Sequence, residues 1–398
     1  MKPQSFSFRD SVSEEVLRKY LSRAVTISCE YEELTPENRE IAGFILHTGA
    51  KYICRANTEW APSRKNALSR PAQKAFIDLI HESDPDVVFE ACIFECVSGA
   101  VNGIPIPAFV FAEYGKEAEE RCFSFDRMLF PDGRFKDQWG KGTAVPDITR
   151  EETQMFFYYR ACDFIDHGFE GLHMGQVELM GRNDAEHRCY TDLFARIRAY
   201  AKAHARRGFV FLNAHTHGIV GADGVLLFDF HGYPCRPCNI ESEGAHKPTE
   251  EFPQGVEFRK GARGSIYGCS RGGRTYSGWD CASLPYLVEI DNYGIDEAHL
   301  NQPTSDRLWG MDEISWFANQ PASYRRSWLR YAHEWIGSQG DGCGFLAMPG
   351  LRVAFVFAPD GTRISRKYSA FRGGAFDDED TIAEIWREEE GDADGRLG

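Results

Sequence analysis

The chain has no glycine-rich nucleotide signature: neither G-x-G-x-x-G nor a P-loop follows any of its apolar runs. That removes the first-turn fingerprint by which an open, doubly wound α/β sheet usually declares itself. Basic clusters are missing too. With 60 Asp and Glu against 45 Lys and Arg, and a net charge of −15, no stripe of positive charge is available to displace counterions, so nucleic acid is not an expected partner. No apolar run is long enough to span a bilayer and the opening MKPQSFSFRD has no apolar h-region, so no membrane association and a cytoplasmic location are expected. Tandem repeats and low-complexity tracts are absent. The twelve cysteines do not read as a disulfide framework, because Cys29, Cys54 and Cys92 fall inside apolar runs, where a free thiol behaves as a small buried hydrophobe.

What the chain does have is one pattern written eight times, an apolar run that turns polar at its C-terminal end. In residues 209–218, FVFLNAHTHG, Val210, Leu212 and Ala214 share one face of an extended backbone, while Asn213, His215 and His217 share the other. AVTISCE ends at Glu30, KYICRANTE in Arg55, Asn57 and Glu59, and DVVFEACIFE at Glu95. FEGLHMGQVE ends in Gln176 and Glu178, GVLLFDFH in Asp229 and His231, and LPYLVEIDN in Glu289, Asp291 and Asn292. GFLAMPG closes the series without a charge.

Between most of these runs lie helical segments, and eight strands alternating with helices in 398 residues predict a (β/α)8 TIM barrel, an α/β fold whose chemistry sits at the C-terminal ends of the strands. Residues 1–370 are expected to form a single decorated barrel domain and 371–398 an acidic C-terminal helix and tail. Residues 98–149, with Trp139 and IPIP, form a long insertion expected to wall the cleft. A second irregular stretch, 231–283, separates the sixth and seventh runs, and RVAFVFAP and TRISRKY, joined by Asp360-Gly361, predict a small C-terminal hairpin.

Strands four and seven of such a barrel face each other across the mouth, so Glu178 and Glu289 are the leading carboxylate pair. Asp291 shares the face of Glu289 and is the alternative to it. On Gln176-Val177-Glu178 and Glu289 the chain resembles the clan A glycoside hydrolases, whose fourth strand ends Asn-Glu. The resemblance implies a barrel in which Glu178 is acid/base and Glu289 nucleophile, acting on a carbohydrate or glycoside without metal or cofactor. Glu30, Asn57, Glu59, Glu95, Gln176, His215, His217, Asp229, His231, Asn292 and Trp60 are then expected to bind the sugar, with Trp139, Trp279 and Trp309 as further stacking surfaces.

The alternative is a metal-dependent hydrolase, lyase or sugar isomerase. His215 and His217, two apart at a strand end, can reach one ion with Asp229 or His231 completing the set. Cys235-x-x-Cys238 stands alone, without the second ligand pair a zinc site needs. Arg271 and Arg274 have the chemistry to clamp an anionic group, although pairing with the chain's many acids is the commoner use of such residues.

Overall fold

The structure is a computed structural model that describes residues 5–28, 36–235, 237–239, 256–258, 270–291, 312–339, 342–357 and 361–395. Among them, eight parallel strands follow one another around a closed sheet: β1 (Ala24–Ile27), β2 (Tyr52–Glu59), β3 (Val88–Ile93), β4 (Gly171–His173), β5 (Phe211–His215), β6 (Phe230–Pro234), β7 (Tyr286–Glu289) and β8 (Gly344–Phe357). The ring closes where Val25 of β1 lies opposite Met348 of β8. This is the (β/α)8 barrel that the eight runs predict. Helices Pro36–Thr48, Arg70–Ser83, Glu151–Asp166 and Arg188–His204 return the chain from strand top to strand bottom. None of the described helices is long and apolar enough to cross a membrane.

Alternation along each strand divides two cores. Val25, Ile53, Phe89, Leu172, Leu212, Val288 and Leu346 face the helices. Tyr52, Cys54, Val88, Phe211, Phe230, Leu287 and Ala347 face inward, against a floor made by Phe6, Phe8 and helix Glu14–Leu21. Phe8 meets Phe211 edge-on at 5.2 Å, and the Tyr20 hydroxyl lies 2.9 Å from the Phe6 carbonyl and 2.8 Å from that of Asp86. The barrel is therefore sealed from below by apolar side chains, and any chemistry must enter from the other end.

The insertion after β3 is ordered, with Val97–Ser98 paired to Thr143–Ala144 and Val101, Val110, Phe111 and Met128 buried. β8 runs on past the barrel and pairs with β9 (Arg363–Ser369), antiparallel from Leu351↔Ser369 to Phe357↔Arg363, forming the expected hairpin. Helix Glu379–Gly395 then buries Ile382, Ile385 and Trp386 in the outer core.

Three placements differ from the sequence reading. On β2 both Tyr52 and Ile53 are apolar, so alternation alone does not say which face is inside. Ile53 lies opposite Phe89 and Asn57 opposite Ala91, leaving two additional residues on β2, and the strand bulges there with Arg55 at φ 59°. Arg55 turns into the barrel, whereas Asn57 and Glu59 stay on the helix side with Ile53. Asn57 donates to Glu59 at 3.0 Å, and Glu59 is bound by Arg70 at 2.5 Å and by Arg160.

Strand six is the second difference. It starts at Phe230, later than GVLLFDFH suggests, so Asp229 precedes it and accepts from Arg198 at 2.7 Å and from the Leu212 amide at 2.7 Å. The inward position is Gly232, leaving His231 on the helix side with Nδ1 2.9 Å from Ser270 Oγ. Third, Trp279 lies at the sealed end, donating to the Val12 carbonyl at 3.0 Å. Arg274 pairs with Asp280 at 2.6 Å on the surface, the commoner use expected of it. Glu30, Asn292 and Trp309 fall outside the described residues.

Burial alone would raise the Glu59 carboxyl, but the Arg160 and Arg70 guanidiniums outweigh it and hold the group at about 2. Its pKa is lowered on folding, so its contribution to stability is present above the ordinary 4.5 and is lost as the pH falls toward about 2. Glu59→Gln, which leaves two buried guanidiniums without their counter-charge, should cost about 3–5 kcal/mol. Urea unfolding at pH 7 measures that loss, and repeating it at low pH should show the difference from wild type shrinking.

Candidate functional site

The mouth is built from the last inward residue of several strands. At its centre the buried Arg55 guanidinium donates through Nε to Glu289 Oε2 at 2.7 Å, and its Nη2 lies 3.0 Å from His215 Nε2 and 3.9 Å from Asp291 Oδ1. Glu289 ends β7 with 2% of its side chain exposed, while Asp291, two residues on, keeps 14% and also meets Arg352 at 3.4 Å. A buried guanidinium is tolerable only with matched acceptors, and here two carboxylates and an imidazole supply them.

Below this layer a chain of hydrogen bonds fixes every orientation. Glu90 Oε2 accepts from the Tyr52 hydroxyl at 2.9 Å and from Asn213 Nδ2 at 2.6 Å, and Oε1 accepts from the Arg55 amide at 3.2 Å. With Nδ2 of Asn213 committed to Glu90, Oδ1 is left to accept from His173 Nδ1 at 2.6 Å. The proton of His173 therefore sits on Nδ1, and Nε2, wholly buried, presents a lone pair with no hydrogen-bond partner among the described residues. Burial, helped by the charges of Arg55 and His215, pushes this imidazole well below the usual histidine range and keeps it neutral. A side chain at position 232 would crowd Asn213 and His173, so Gly232 makes the room they occupy.

His173, His215 and Glu289 each offer one ligand atom, all within 4.8 Å of one another. Glu95, just past the end of β3, is buried; burial raises its carboxyl, against the Gln176 amide that donates to Oε2 at 2.9 Å. Gly175, at φ 64°, is required there, because a Cβ would strike Glu95 Oε2. On the rim, Glu178 is exposed on a four-residue helix, Val177–Met180, and accepts from Thr216 Oγ1 at 2.8 Å. The exposed His217 lies 3.2 Å from the Tyr233 hydroxyl. Trp60, 45% exposed, packs on Phe94 at 5.1 Å and on Trp139 at 5.6 Å, and Phe94 stands 6.0 Å from His173. An aromatic ledge thus leads from solvent down to the polar cluster.

Of the residues singled out from sequence, Glu289, Asp291, His215, Glu95 and Trp60 gather at the mouth. Gln176, Glu178 and His217 lie at its rim, and Asn57, Glu59, Asp229 and His231 do not join it. Strand four ends at His173, before Gln176 and Glu178. The sequence reading passed over Glu90 and His173. Both sit at inward positions of their strands, and the period-2 pattern carried to Glu90-Ala-Cys92 and Gly171-Leu-His173 places them there.

The sequence matches no protein-family model and no curated protein. Among solved structures, the chain is similar to the glycoside hydrolase domain of PelA from Pseudomonas aeruginosa, with a TM-score of 0.36 and 10% identity over 86% of this chain and 98% of that one. It is also similar to the acarbose-soaked debranching enzyme of Nostoc punctiforme, with a TM-score of 0.44 and 10% identity over 92% of this chain and 81% of the other. The chain's own strand order, rather than these distant likenesses, establishes the barrel.

Burial, followed by the charge of Glu289, raises Glu90 to about 7 against the pull of Arg55, Tyr52 and Asn213. It therefore binds its proton more tightly folded than unfolded, and its contribution to stability falls as the pH rises from 4.5 to about 7. Infrared difference spectra should show a protonated-carboxyl band that bleaches with a midpoint near 7 and is missing in Glu90→Gln. A Glu90 band that titrates in the ordinary carboxylate range would overturn the assignment.

Proposed function

We propose that this protein is a hydrolase acting on glycosides, with Glu95 as general acid and Asp291 as the carboxylate that attacks the anomeric carbon or activates water. The observation that carries this reading is the unequal setting of two carboxyl groups in one mouth. Glu95 is buried and its proton is held more tightly than usual, whereas Asp291 is partly exposed and flanked by the guanidiniums of Arg352 and Arg55. Environments that drive two titratable groups apart are how acid and base roles are divided at one pH.

In the first step the proton of Glu95 passes to the departing glycosidic oxygen as the C1–O bond breaks. Positive charge develops on the ring as that bond breaks. C1 is bonded either by water that gives its proton to Asp291 or by Asp291 itself, in which case water deprotonated by Glu95 then displaces Asp291 from C1. A sugar entering along Trp60 can lay its C–H face on the indole and reach the polar layer beneath Phe94. Glu289, the nucleophile suggested by strand position, is more deeply buried and accepts from Arg55 through Oε2. In this scheme it positions the guanidinium that faces Asp291. Glu178, Gln176 and His217 at the rim, with His215, supply hydrogen bonds to sugar hydroxyls.

The test is hydrolysis of a panel of aryl glycosides. Glu95→Gln and Asp291→Asn should each lower kcat by about 10²–10⁴-fold, the range general acid–base groups supply. The Glu95→Gln loss should largely vanish with dinitrophenyl leaving groups, which depart without a proton. In wild type, kcat/KM should fall as the pH rises through the raised Glu95 pKa, and Glu95→Gln should lose that alkaline limb. No hydrolysis of any glycoside by wild type, or full activity of Glu95→Gln on unactivated substrates, would sink the proposal.

A further inference from the structure

The hydrolytic scheme leaves His173 without a task. A wholly buried imidazole with an unpartnered Nε2 costs free energy unless something fills the position, and burying a polar atom without a hydrogen bond costs on the order of 1–3 kcal/mol. The surroundings specify what that something is. The His173 tautomer is fixed by a relay, Tyr52 and Asn213 onto Glu90 and Nδ1 onto Asn213, so that a lone pair and not a proton points away from the relay. That is how a metal-ligating histidine is held, with its other ring nitrogen donating to an oxygen fixed in turn by a second hydrogen bond. One ligand atom from each of His173, His215 and Glu289 lies within 4.8 Å of the other two.

We propose that His173, His215 and Glu289 form a binding site for one divalent transition metal, with Arg55 as the resident cation that gives way to it. Two imidazoles and a carboxylate from three strand ends are a donor set suited to zinc and its neighbours, and three protein ligands leave an open coordination position. Magnesium and calcium, which take oxygen ligands, do not fit. Arg55 already bridges two of the three ligands, at 2.7 Å from Glu289 and 3.0 Å from His215, as a single charge placed where a double charge belongs. Its next acceptor, Asp291, is 3.9 Å from Nη2, so a short swing moves the guanidinium off the ligands without losing a counter-charge. The site does not depend on the hydrolytic reading, since neither Glu95 nor Asp291 is a ligand.

Titration of the purified full chain with Zn²⁺ and with Co²⁺, followed by calorimetry and by the cobalt visible spectrum, should find one ion per chain. Arg55→Ala should bind about tenfold or more tightly, because the competing guanidinium is gone. His173→Ala should weaken binding by about 100-fold, the scale on which even outer-shell changes act. His204→Ala, an exposed histidine elsewhere, should leave it unchanged. X-ray absorption of the zinc-loaded wild type should report two imidazole ligands, a result that does not require any variant to fold. Failure of both wild type and Arg55→Ala to bind an ion, a spectrum without two imidazoles, or binding retained in His173→Ala as an adventitious ion only, would each overturn the proposal.

Discussion

The mouth of this barrel depends on a single buried guanidinium. Arg55 is held where water cannot solvate it, and its removal or the removal of Glu289 would leave an uncompensated charge in the interior, a defect on the order of 3–5 kcal/mol. The backbone bends to allow it: an arginine at φ 59° sits in a region that costs non-glycine residues about 1–3 kcal/mol and persists only where the surroundings dictate it. The bulge turns Arg55 inward while Asn57 and Glu59 stay on the helix side with Ile53, where Glu59 ties β2 to Arg70 and Arg160 on two outer helices. One local irregularity thus fixes the centre of the site and part of its outer support.

Around Arg55 the barrel interior is graded from dry to polar. Aromatic side chains fill the floor, and one layer up Tyr52 and Glu90 share a hydrogen bond in surroundings that shift the Tyr52 hydroxyl well above and the Glu90 carboxyl to about 7, burial being the leading cause for both. Above them come the ionised pair of Arg55 and Glu289, and then Asp291 at the edge of water. Each layer is neutral or self-compensated, which is how a barrel with 60 acidic residues carries several carboxylates in one mouth without driving it open. The cysteines follow the same logic: Cys54 and Cys92 face this interior, and burial raises both thiols, so they pack as hydrophobes beside the charged layer.

The barrel was legible because its signal is local and repeated. A parallel strand buried on both faces is a short apolar run, and the polar residue that follows marks the end facing the site. The faces were harder to read. At β5 one face of the strand is uniformly apolar, so Asn213 and His215 point inward as alternation predicts. At β2, Tyr52 and Ile53 are both apolar and the bulge breaks the count, so nothing local tells that Arg55 turns in while Glu59 turns out. What holds Glu59 outward is Arg160, 101 residues away, and what claims Asp229 is Arg198, 31 residues back on a helix. Such pairings belong to the fold and not to any window of sequence. His173 was missed for a different reason: Gln176 and Glu178 extend the polar pattern past the true end of β4 and draw attention from the last inward residue.

Charge coupling across the layers joins the two readings of the site. The Glu90 carboxyl is raised to about 7 by burial and then by the charge of Glu289, which is itself paired with Arg55. Exchanging the single charge of Arg55 for the double charge of a metal would add positive potential over Glu90 and favour its carboxylate form. The Asn213 bridge survives that change, since a carboxylate accepts from Asn213 Nδ2 and the Tyr52 hydroxyl at least as well as a neutral acid does. The His173 tautomer is therefore preserved in both states. On the two proposals together, Asp291 would gain the displaced guanidinium as a closer partner and would be a weaker nucleophile. If both proposals hold, Glu289 is bound to a cation in either state, and the position of one arginine would set only how closely Asp291 is paired.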